Sequence, residues 1–257
     1  MYKILLGVII PFLGTSLGAF LVFFLKDKIS NKLNRLLLGF AAGVMFASSI
    51  WSLIIPAINQ AEFMGKWLFI PPFCGICFGV IFMLLLDIFC RHLSDKMTKT
   101  NILSDKRKRL LFWAITIHNI PEGMAVGVAL ASAYFKYNGI SLAAAFALSI
   151  GIAIQNIPEG AVVSLPLVSD SFSKRKAFSF GVLSGIVEPI FAGLAFFLTN
   201  IVAPILPYLL SFAAGAMIYV SVEELIPESH VNDKSKISTI TFFIGFLIMM
   251  ILDIVLG

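Results

Sequence analysis

Residues 116–126 read TIHNIPEGMAV, and residues 153–163 nearly repeat them as AIQNIPEGAVV. His118 and Glu122 are four residues apart, as are Gln155 and Glu159. That spacing puts both members of each pair on one face of a helix. Imidazole nitrogen, carboxylate oxygen and amide oxygen on facing surfaces form a ligand set for a divalent cation. The nitrogen points to zinc and its first-row neighbours, because magnesium and calcium take all-oxygen shells. Two carboxylates also match the charge of one such ion. Asn119 and Asn156 follow the His and Gln positions by one residue, turned about 100° around the helix. They define an adjoining site that shares Glu122 and Glu159 as bridges, with Glu188, followed by Pro189, as the candidate to complete it. Pro121 and Pro158 are expected to disturb their helices and free the carbonyls of Ile117 and Ile154. Gly123, Gly127 and Gly160 leave room for neighbouring helices to approach closely.

These polar residues lie in an apolar chain. Of 257 residues, 59% are apolar and 13% charged, and the mean hydropathy is +0.98. A soluble domain of this length could not bury that surface, so the class is integral membrane protein. About 20 apolar residues cross a bilayer as a helix. The sequence predicts eight such spans, at 4–25, 36–58, 68–90, 110–134, 139–168, 177–200, 203–226 and 238–256, forming one all-α transmembrane domain over 1–257. The long apolar runs lack the period-two alternation of a β-barrel. Sixteen of the nineteen lysines and arginines fall in the connections 26–35, 91–110, 169–177 and 228–237. The positive-inside rule puts those connections in the cytoplasm and both termini outside it. The pI near 9.1 follows from this asymmetry and speaks for anionic lipid rather than nucleic acid as a partner. The CGIC of residues 74–77 has no second cysteine pair to complete a metal or redox site, and is read as packing.

A carboxylate at mid-membrane costs ~2.5 kcal/mol or more. Spans four to six hold Glu122, Glu159 and Glu188 with no lysine or arginine deep among them, so a shared cation accounts for the acids better than ion pairing does. At ~1.5 Å per residue, His118 and Glu159 lie roughly 12 and 14 Å from the cytoplasmic ends of spans four and five, and Glu122 and Gln155 roughly 18 and 20 Å. Packed as neighbours, the two helices would set His118 opposite Glu159 and Glu122 opposite Gln155. A metal-dependent intramembrane hydrolase would commonly carry an H-E-x-x-H helix, which is absent. A metal sensor is the other alternative to transport.

At these motifs the chain resembles the ZIP family of metal-ion transporters. HNIPEGMAVGVAL and QNIPEGAVVSLPL resemble the signatures of the family's fourth and fifth helices, and the likeness extends to FAAGVMFASSIWSLIIPAI and GAMIYVSVEELIPES in spans two and seven. Glutamine at position 155 is similar to the GufA-like bacterial branch. The resemblance implies a multi-pass cell-membrane protein that is not an enzyme. It implies uptake of zinc first, with cadmium, iron or manganese as further substrates, no cofactor besides the transported metal, and a homodimer. It also implies two bound ions. One would be held by His118, Glu122, Gln155 and Glu159 with Met45 nearby; the other by Asn119, Glu122, Asn156, Glu159 and Glu188. Asn156 stands where relatives of the branch can have aspartate, which removes one negative charge. Glu223, Glu224, Glu228 and His230 would form an exit-side relay. Ser52 of span two is the candidate entrance residue.

Overall fold

The computed structural model describes residues 2–24, 30–96, 106–136, 141–169, 172–231 and 235–256. Among them there is no strand. The helices follow in order as α1 (Tyr2–Phe20), α2 (Asn31–Ser48), α3 (Ile55–Gln60), α4 (Ile70–Lys96), α5 (Lys106–Phe135), α6 (Leu142–Ser169), α7 (Lys174–Gly185), α8 (Val187–Phe197), α9 (Thr199–Val220), α10 (Ile226–His230) and α11 (Ile237–Leu256). Ser30 and Ser173 cap α2 and α7, their hydroxyls accepting from the Leu33 and Lys176 amides. Among the described residues, seven rods are long and apolar enough to cross a membrane, counting α2 with α3, α7 with α8 and α9 with α10. The polar motif dilutes the apolar run of α5, which is not among the seven.

Two of these rods are interrupted by π-turns, at Ser49–Ile54 and Ser221–Leu225. In each, the residue just before a proline donates five residues back: Ile55 to the Ile50 carbonyl ahead of Pro56, and Ile226 to the Ser221 carbonyl ahead of Pro227. Proline has no amide proton and its ring crowds the carbonyl four residues earlier. The wider turn absorbs both effects. Pro121 and Pro158, by contrast, lie inside the α-helical runs of α5 and α6. The irregular turns lie in the neighbouring rods instead.

The bundle is built from close pairs: α1 with α6, α2 with α11, α4 with α9 and α5 with α8, with α5 also lying against α6 and α9. Small residues let backbones meet. A Cβ on Gly160 would run into the Thr15 carbonyl, and one on Gly123 would stand 2.5 Å from the Glu188 carbonyl oxygen. These contacts fall two residues after Pro158 and Pro121. Apolar side chains such as Phe78, Leu85 and Ile88 on α4 and Phe243, Leu247 and Ile251 on α11 face outward. Thr15, Asn119, Glu122, Gln155, Asn156, Glu159 and Glu188 are at most 1% exposed. This inside-out distribution suits a bilayer as solvent.

Candidate metal centre

The two motif helices, α5 and α6, lie side by side, and their polar residues meet in the bundle interior. Gln155 donates from Nε2 to Glu122 Oε1 at 2.5 Å and accepts at Oε1 from the Ser48 hydroxyl of α2 at 2.7 Å. The side chain of His118 lies outside the described residues, and its pairing with Glu159 does too. Met45 is fully buried in the apolar cluster that also holds Ala125, Val162 and Val163.

The second set converges on Glu188 of α8. Its Oε1 accepts from Thr15 Oγ1 of α1 at 2.6 Å and from Asn119 Nδ2 at 3.2 Å; its Oε2 accepts from Asn156 Nδ2 at 2.9 Å. Asn119 Nδ2 also reaches the Ser184 carbonyl at 3.1 Å. Glu159 lies within Coulombic reach of Glu188. Both asparagines spend their NH2 groups on this carboxylate, and both amide oxygens are buried without a hydrogen-bond partner. A buried acceptor left unmatched costs about 1–3 kcal/mol. Two such oxygens, from matched positions of a duplicated motif, fit a cation. Among the described residues no three His, Cys, Asp or Glu side chains are grouped to hold a metal. The donor set described here is therefore carboxylate and amide oxygen, with any nitrogen left to His118.

A cavity of about 410 Å³ runs to this centre. Ser52, Pro56 and Gln60 line it from one side, Ser132 and Ala203 from others, and Glu122 and Gln155 form its inner end. Ser132 is ten residues from Glu122 along α5, about 15 Å of helix. Ser52 donates at 2.6 Å to Oδ1 of Asp253 on α11, and Asp253 Oδ2 has no hydrogen-bond partner.

At the other end of α9, Glu223 is exposed and Glu224 and Glu228 are half-buried. Exposed His230 is tied into the α10–α11 corner. Its Nδ1 is 2.8 Å from the Ile226 carbonyl, and its Nε2 is 3.1 Å from Thr239 Oγ1. The Ile226 contact makes Nδ1 a donor, so in the neutral ring Nε2 accepts the Thr239 proton.

Thr15, Ser48 and Asp253 contribute to these polar clusters and were missed from sequence. Asp253 carried a usable signal, since it is an acid within an apolar span, like the three glutamates. Thr15 and Ser48 carried none beyond being hydroxyls.

A family model described as "ZIP Zinc transporter" matches residues 107–253. The chain is 34% identical to human "Zinc transporter ZIP11", covering 100% of this chain and 98% of that one. It is 35% identical to "Zinc transporter ZIPB" of Bordetella bronchiseptica, covering 98% and 81% of the two chains. It is 35% identical to "Zinc transporter GufA" of Myxococcus xanthus, covering 95% of each.

Proposed function

The chain belongs to the ZIP family of zinc transporters, in its GufA-like branch, and from that premise we propose that it carries zinc, or a similar divalent ion, into the cytoplasm through the centre between α5 and α6. It is a multi-pass membrane transporter and not an enzyme, so the hydrolase alternative falls away. The observation that carries the proposal is the cavity ending on Glu122 and Gln155. Its lining comes from the halves of α5, α6 and α9 away from the lysine- and arginine-rich connections. With those connections in the cytoplasm and both termini outside, the cavity opens outward.

In this account Ser52 lines the way in, with Asp253 behind it as the acceptor of its hydroxyl proton. Glu122, Gln155 and Glu159, with His118, take the ion, and Asn119, Asn156 and Glu188 offer a second, oxygen-rich position. Glu223, Glu224 and Glu228 receive the ion on the cytoplasmic side, where His230 serves as a corner tie. Purified protein in liposomes loaded with a metal-sensitive dye tests the proposal, with zinc, cadmium, iron and manganese supplied outside in turn. Saturable zinc entry is the expected result. Zinc binding without entry would leave a sensor and sink the transport reading.

Two variants sharpen the assignment. His118→Ala is expected to weaken zinc entry more than manganese entry, since imidazole favours the later metal; equal losses would count against imidazole-based selection. Asp253→Asn removes the negative charge behind Ser52. It is expected to raise the half-saturating zinc concentration about tenfold with the maximal rate kept, because a charged cleft concentrates its counter-ion. A fall in maximal rate alone would argue against capture at Asp253.

A further inference from the structure

We propose that Ser48 is a positioning residue for the ion, fixing the Gln155 amide so that its oxygen faces the metal. The inference rests on the transport reading above. Buried hydroxyls in apolar helices commonly donate to a carbonyl one turn back in their own helix. Ser49, Ser149, Ser164 and Ser211 do so, to Met45, Ala145, Gly160 and Pro207. Ser48 does not. It is fully buried and donates its one proton across the bundle to Gln155 Oε1, at 2.7 Å.

An amide offers an oxygen that can ligate and an NH2 that cannot, and half a turn about the terminal bond exchanges them. In this structure the oxygen is held by the donor Ser48 and the nitrogen by the acceptor Glu122. When an ion enters, the Glu122 carboxylate turns its lone pairs to the metal and its hold on Nε2 weakens. Ser48 then becomes the contact that keeps the amide in its ligating orientation. A carbonyl oxygen has two lone pairs, so Oε1 can accept from Ser48 with one and face the ion with the other. The hydroxyl does for the amide what outer partners do for metal-bound histidines.

The test compares wild type, Ser48→Ala, Ser48→Thr, Gln155→Ala and the Ser48→Ala/Gln155→Ala double variant. Zinc entry is measured in liposomes, and equilibrium zinc affinity in detergent. Ser48→Ala is expected to raise the zinc KM and weaken binding about tenfold with the maximal rate kept. Ser48→Thr, which keeps the hydroxyl, should restore wild-type values. In the Gln155→Ala background the Ser48→Ala change should cost nothing further. Wild-type behaviour of Ser48→Ala, equal weakening by Ala and Thr, or full additivity with Gln155→Ala would each overturn the assignment. If wild type moves no zinc, the transport reading fails on its own, and the affinity cycle still decides whether Ser48 acts through Gln155.

Discussion

Replacing Glu122 by alanine is expected to abolish zinc entry while the folded protein still reaches the membrane. Glu122 is buried, lies at the inner end of the cavity and accepts the Gln155 amide proton. Loss of a supporting partner around a metal costs about 10–100-fold in affinity or activity, so loss of a ligand should reach at least the upper end. The fold should survive because two terms oppose each other. Leaving Gln155 Nε2 without its acceptor costs about 1–3 kcal/mol, and removing a carboxylate from mid-membrane relieves ~2.5 kcal/mol or more. Liposome flux, normalised to inserted protein with an intact size-exclusion profile, is the measurement. Unchanged zinc entry would remove the ligand assignment.

Gly160→Val should fail earlier, at folding. The added Cβ would land on the Thr15 backbone carbonyl, which cannot rotate aside as a flexible side chain would. Overpacking typically costs about 1–3 kcal/mol, and a backbone obstacle belongs at or beyond the top of that range. To make room, α1 must leave α6, taking the Thr15 hydroxyl away from Glu188. The expected result is a large fall in thermal midpoint in detergent, with loss of zinc entry. Gly193→Ala on α8 is the control, because nothing lies within 4 Å of its built Cβ. If both variants unfold alike, the α1–α6 backbone contact is not what the substitution disturbs.

The sequence made the class and the central motif apparent because a bilayer constrains both. Span length is set by hydrocarbon thickness, and polar side chains are rare enough in lipid for two copies of N-I-P-E-G to stand out. Asp253 and Asp87, also acids inside apolar stretches, carry the same cost and were legible on the same ground. Thr15 and Ser48 were hidden. A hydroxyl that bonds its own helix and one that crosses to a neighbour look identical in sequence, and only the approach of α1 to α8 and of α2 to α6 separates them. The two pairs of prolines look alike in sequence and differ in place. Pro121 and Pro158 sit inside α5 and α6, with Gly123 and Gly160 in close backbone approach two residues on, while Pro56 and Pro227 begin short terminal segments, α3 and α10.

The π-turn at Ser49–Ile54 holds one residue more than a regular helix would over the same rise, so each residue beyond it stands where its predecessor would in an unbroken helix, set back by about 100° around the axis. Pro56 and Gln60 line the outer cavity from beyond that turn. Deleting a single residue from the turn would give an unbroken rod with its outer lining still in phase, whereas a deletion from the regular helix on either side would swing that lining by about 100°. The backbone between α2 and α3 thus holds one residue of slack between floor and mouth, independent of any side chain that touches the ion.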